Sequence, residues 1–121
     1  MNPDRILIDN LELTAFLGVP DDERAAAQRL TVSLVLEPIR GFTELGDAIE
    51  NAVDYFRVCE VVKALSLARP RRLIETLAGD IAALLLARFA LGAVEVELRK
   101  YILPDTAFVA VEIRREAAAP P

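Results

Sequence analysis

Hydrophobic and polar residues change period along this chain, and the changes mark its elements. From Arg5 to Leu17, apolar residues mixed with polar ones predict a long strand that bulges near Asp9-Asn10, where the alternation slips, and ends at Gly18. Val19 to Ala27 reads as a polar connection with one helical turn. From Gln28 to Glu37, Val32, Leu34 and Leu36 alternate with Thr31 and Ser33, a second, half-buried strand stopped by Pro38 and Gly41. The stretch to Asp47 reads as a loop with a short helical turn. From Asp54 the spacing becomes helical, with Tyr55, Val58, Cys59, Val61, Val62 and Leu65 in one stripe that Pro70 ends. A second helix from about Arg71 carries Leu73, Ile74, Leu77, Ile81, Leu84 and Leu85 on one face and is closed by Gly92. Alternation then returns in Val94, Val96 and Leu98, and again in Val109, Val111 and Ile113, around a loop at Leu103-Pro104-Asp105.

The order ββααββ predicts an α+β fold, a four-stranded antiparallel sheet with two helices on one face. The 121 residues suffice for one core, expected over residues 1–116, with 117–121 a disordered tail. Such a sheet leaves its edges open, and an apolar-rich edge is usually covered by a neighbour, which predicts a ring-like homo-oligomer.

Composition narrows the chemistry. With 14 Lys+Arg against 19 Asp+Glu, the net charge of -5 has the wrong sign for coating a phosphate backbone, so no nucleic-acid partner is expected. The longest apolar run, Ile81 to Leu86, is too short to span a bilayer, and the N-terminus lacks the pattern of a signal peptide, so no membrane partner is expected. Cys59 is the only cysteine, which fits a reducing cytoplasm. There is no histidine, which removes imidazole ligands and bases; no metal or other cofactor is expected, and proton chemistry falls to Glu, Asp, Lys and Tyr.

Lys100 is the most informative of these residues. Its parity places it on the strand face of Val94, Val96 and Leu98. The ordinary reading is an amine that snorkels past the rim, and the sharper one is a partly desolvated amine able to exchange a proton near neutral pH. Glu75, in the first turn of the second helix, either answers the helix dipole or accepts two N–H bonds from a flat amidine-like edge, as in a guanine-like or pterin ring. Tyr55 beside Asp54 reads by itself as core, Glu23 as part of a solvated acidic run, and Asp47 as a turn or cap.

Taken together, the segments resemble the dihydroneopterin aldolase family of folate biosynthesis. The matching features are LGV at Leu17 to Val19, Glu23 to Gln28 as ExxxxQ, Asp47 through Val53-Asp54-Tyr55 to Val58, LIETLA from Leu73 to Ala78, the strand ending in Lys100, and the closing Val109 to Arg115. They cover nearly the whole chain. The resemblance implies a tunnelling fold, with subunits pairing sheet edges into a tetrameric ring, two rings stacking into an octamer, and sites between adjacent subunits. It implies that Glu75 holds the pterin's amino and ring N–H edge, with the main chain of Ile74 near its carbonyl. Tyr55, with Val53 and Asp54, would cover the ring from the neighbouring subunit, while Glu23 and Lys100 would face the hydroxylated side chain. The implied reaction is a metal-independent retro-aldol cleavage, with Lys100 as base and Tyr55 helping to deliver a proton.

Two positions depart from the family pattern. Tyr101 stands where proline is common, and the loop from Ile102 to Thr106 is short, so this segment is expected to border the side-chain end of the pocket. Ala52 replaces a small hydroxylated residue before Val53. The alternatives are a 2′-epimerase of dihydroneopterin or its triphosphate, built on the same scaffold, and a non-catalytic pterin-binding subunit.

Overall fold

Strand β1 (Ile6–Phe16) pairs antiparallel with β2 (Ala27–Pro38), β2 with β3 (Leu91–Lys100), and β3 with β4 (Val109–Glu116), so sheet order follows chain order. These elements belong to a computed structural model that describes residues 3–118. Alternation dictates the faces: Leu30, Val32, Leu34 and Leu36 of β2 and Val94, Val96 and Leu98 of β3 are buried in the same core. Helices α2 (Tyr55–Ala68) and α3 (Ile74–Arg88) supply the rest of it, α2 packing on β1 and α3 on β3 and β4.

The expected bulge is present. Ile8 pairs with Leu34 and Leu11 with Val32, so Asp9 and Asn10 together oppose Ser33. Asn10 adopts the left-handed region at φ 54°, which asparagine tolerates better than most residues. Its N–H donates to Ser33 Oγ (3.1 Å), and the Ser33 hydroxyl donates to Asp9 Oδ1 (3.2 Å). The extra residue reverses parity, so that Ile6 and Ile8 before it and Leu11 and Leu13 after it all pack on the core.

On α2 the buried stripe is Val58, Val61, Val62 and Ser66, and the Ser66 hydroxyl donates to Thr14 O of β1. Asp54 caps the helix, accepting from the amides of Phe56 (3.1 Å) and Arg57 (3.4 Å). On α3, Leu77, Ile81 and Leu85 are fully buried, with Ala78 and Ala82 between them bringing the helix close to the sheet. Truncating such a leucine to alanine costs about 2–5 kcal/mol.

Three details differ from the sequence reading. The second helix begins at Ile74, not Arg71, because the Arg71 backbone is already committed elsewhere: its N–H donates to Phe16 O (3.0 Å) and its carbonyl accepts from Gly18 N–H (3.1 Å). The helix ends at Arg88, ahead of Gly92, which lies inside β3; Phe89 has already turned to extended geometry at ψ 152°. The short helical turn expected before Asp47 is the 3-10 turn Phe42–Glu44, and a second 3-10 turn that the sequence reading does not include, Ile49–Asn51, follows it ahead of α2. Beyond β4, Ala117 N–H donates to Gly92 O (2.9 Å), and the last part of the expected tail, 119–121, lies outside the described residues. Among the described residues no helix is long and apolar enough to cross a membrane.

The helix-free face of the sheet is a lattice of charges. Arg114 on β4 reaches Glu37 on β2 (2.7 and 3.2 Å) and Glu95 on β3 (3.2 Å), joining three strands. The hydrogen bond from Arg114 holds the Glu37 carboxyl below its ordinary 4.5. A carboxyl lowered in the folded state contributes stability above its unfolded value and loses it as pH falls through the folded value. In thermal melts from about pH 6 down to about pH 3, Glu37→Gln should therefore lose less Tm than the unaltered protein. Equal losses would remove this pair as a source of acid sensitivity.

Candidate active site

The end of β1 is fastened on both sides. Leu17 bridges Arg71 in parallel, and the buried Arg71 guanidinium donates to Asp80 Oδ2 (2.8 Å), Arg69 O (3.1 Å) and Leu65 O (3.3 Å), tying the end of α2 to α3. The short helix α1 (Asp21–Ala25) then turns back beneath this loop. Arg24 donates to Gly18 O (2.9 Å) and Val19 O (3.0 Å), and Gln28 donates to Leu17 O (2.6 Å).

This fold-back lifts Glu23 out of the solvated run in which the sequence shows it. Its carboxylate packs against Gly18, where a Cβ would stand 2.5 Å from Glu23 Cδ. Gly18 also takes φ 153°, a region that disfavours side chains. At the last residue of β3, Lys100 points to the helix side, as its parity predicts, and its Nζ lies 2.6 Å from Glu23 Oε2. The two side chains are only 16% and 20% exposed, and Oε2 itself is shielded from solvent, meeting the ammonium as an ion pair without an aligned hydrogen bond. An amine and a carboxylate thus share a half-buried corner at one end of the sheet.

That corner lies beside the start of α3. Thr76 and Leu77 both donate to Leu73 O, so the amides of Ile74 and Glu75 stand ahead of the helical ladder. The Ile74 side chain is buried in the core, whereas Glu75 is exposed, with its carboxylate at the positive end of the helix.

Val53, Asp54 and Tyr55 lie elsewhere. Val53 and Asp54 line a cavity of about 520 Å³ with Ile6, Pro38 and Ala90, near the first residue of β3. Lys100 is at that strand's other end, and ten residues of strand span roughly 30 Å. Tyr55, 62% exposed, stands on the flank of the molecule beside Leu11, Cys59 and Lys63. One chain therefore brings Glu23 and Lys100 together, sets Glu75 and Ile74 at the same end, and leaves Val53, Asp54 and Tyr55 apart from them.

Several contributors escape a sequence reading. Arg24 looks like one more solvated charge, and Arg71 has no periodic signal within ARPRR. Tyr101 was expected at the pocket's rim, yet its phenol turns to the helix-free face, where its hydroxyl pairs with Thr31 Oγ1 at 2.8 Å. Among the described residues no three metal-ligating side chains gather.

Comparison with known proteins adds an independent line. The family model of dihydroneopterin aldolase matches residues 6–114. The dihydroneopterin aldolase of Bacillus subtilis is 29% identical over 119 residues, covering 93% of this chain and 98% of that one. Among solved structures, Escherichia coli dihydroneopterin aldolase in complex with neopterin is similar at a TM-score of 0.86 and 27% identity, covering 93% of this chain and 98% of that one. The Burkholderia thailendensis dihydroneopterin aldolase bound to guanine is similar at a TM-score of 0.77 and 30% identity, covering 93% and 90%.

Placing a methyl group at Gly18 should both strain the backbone and push the Glu23 carboxylate off Lys100. We expect Gly18→Ala to lower the urea midpoint by an amount worth about 1–3 kcal/mol with an unchanged m-value. An unchanged midpoint would show that the loop adapts freely.

Proposed function

This chain belongs to the dihydroneopterin aldolase family, and from that premise we propose how its own residues cleave 7,8-dihydroneopterin into 6-hydroxymethyl-7,8-dihydropterin and glycolaldehyde. It is an aldehyde-lyase of folate biosynthesis. The observation that carries the assignment of its residues is the half-buried Lys100–Glu23 pair beside the first turn of α3.

In this reading Glu75 accepts hydrogen bonds from the amino group and ring N–H of the pterin, and the Ile74 main chain stands near the ring carbonyl. Guanine, found on the Burkholderia relative, presents a similar amidine edge. Glu23 and Lys100 face the hydroxylated side chain. Lys100, through water, takes the proton of the 2′-hydroxyl; the oxygen's electrons form the aldehyde of glycolaldehyde as the C1′–C2′ bond breaks. The electron pair left at C1′ spreads into the ring's own C6=N5 imine, so the step needs neither a metal ion nor a Schiff base to a lysine. Tyr55 then helps return a proton to C1′, giving the hydroxymethyl product.

Tyr55, with Val53 and Asp54, reaches this pocket from a neighbouring subunit. Their separation from Lys100 within one chain supports that reading, as do the unpaired edges of β1 and β4. The assembly is a tetrameric ring closed by edge pairing, stacked as an octamer, and the lone thiol of Cys59 suits a reducing cytoplasm.

The direct test is to incubate the purified protein with 7,8-dihydroneopterin and a chelator and to separate the products. Formation of 6-hydroxymethyl-7,8-dihydropterin is expected; the 2′-epimer alone would move the reading to an epimerase. Lys100→Ala should lower kcat by about 100-fold or more while sparing pterin affinity, and normal turnover would reject the base assignment. Mixing and reassembling Lys100→Ala with Tyr55→Phe subunits should restore about a quarter of the sites, since random neighbours reunite the two intact residues that often. No recovery would place both residues in one subunit's site.

A further inference from the structure

We propose that Tyr101 is a positioning residue, clamping the end of β3 so that the Lys100 amine stays turned toward Glu23. The inference rests on the reading of Lys100 as the base.

Pairing of β3 stops at Lys100, opposite Leu30 on one side and Val109 on the other. A terminal strand residue is the first to fray, and a slip of one position sends its side chain to the other face. Tyr101 follows immediately and is held on the helix-free face by three contacts. Its hydroxyl pairs with Thr31 Oγ1 (2.8 Å), and Thr31 is 2% exposed in the central strand β2. The Arg29 guanidinium lies 5.0 Å from its ring centroid. Phe108, at the far end of the loop, meets the ring edge-on at 6.3 Å and carries the Arg99 guanidinium at 4.2 Å.

Neighbouring side chains on an extended segment point to opposite sides, so fastening Tyr101 to the outer face fastens Lys100 to the inner one. The phenol touches neither Lys100 nor Glu23 and acts through the backbone they share. Its effect belongs to the aim of the amine, and the pterin ring's own contacts are untouched.

The test compares Tyr101→Phe, Thr31→Val and the double variant, with Lys100→Ala and Thr31→Ser as references. The readouts are kcat, KM, the pH profile of kcat, equilibrium pterin binding and Tm. Tyr101→Phe is expected to lower kcat about tenfold and shift the pH profile, with KM and pterin affinity within about twofold and Tm unchanged. Thr31→Val should do the same, Thr31→Ser should retain activity by keeping the hydroxyl, and the double variant should be no worse than the poorer single one. Wild-type kcat and pH profile in Tyr101→Phe, alongside an inactive Lys100→Ala, would overturn the positioning role. So would losses that multiply in the double variant or that track a falling Tm. Full turnover by Lys100→Ala would instead overturn the assignment of the base.

Discussion

A strand offers each residue one of two faces, and a sheet covered by helices on a single side makes that choice a matter of burial. Leu30 to Leu36 on β2 and Val94 to Leu98 on β3 fill one face, and their removal from water contributes about 1.5–3 kcal/mol for each large side chain. Every functional placement follows from that division. Lys100 sits among the inward positions because Leu98, Val96 and Val94 precede it in step, and it meets a carboxylate only because α1 folds beneath the same end of the sheet. The outward positions carry Arg29, Glu37, Glu95, Arg99 and Arg114, charges the core side could not hold without partners.

Much of this was legible because period is a local property. The four strands, the two helices, the slip at Asp9-Asn10 and the inward aim of Lys100 all follow from residues close together in sequence. The failures share the opposite character. Arg71 stays out of α3 because its backbone bonds to Phe16 and Gly18, residues far away in the chain. Gly92 was read as a helix stop, but the helix had already ended at Arg88 and the glycine joined β3. Glu23 looked like a solvated acid beside Asp21 and Asp22, and only the fastening of α1 by Arg24 and Gln28 hides it. The resemblance to the aldolases named Glu23 where residue chemistry alone did not single it out.

In the proposed reading the chain also separates binding from covering. The corner beside the α3 terminus sets the Lys100 amine against the Glu23 carboxylate, while Tyr55 stands on another flank with its ring largely uncovered. A fold this small has few concave places of its own, and in the proposed assembly a seam between copies would provide depth without enlarging the chain. The retro-aldol reaction suits that economy, since the pterin ring brings its own electron sink and leaves the protein only proton transfer and orientation to supply.

The bulge in β1 also bears on how this chain can change length over evolutionary time. Asn10 exists as a residue with no partner of its own, spliced between two stretches whose inward positions run on even numbers before it and on odd numbers after it. A single-codon deletion of Asn10 would leave Asp9 alone opposite Ser33, with Ile6 and Ile8 still on the core face in unbroken alternation, whereas the same deletion between the bulge and an end of the strand acts as a frameshift in three dimensions that turns the residues beyond it to the other face. Lineages of this fold can shorten or lengthen β1 one residue at a time at its ends or at the bulge itself, but elsewhere inside the strand they can do so only in steps of two.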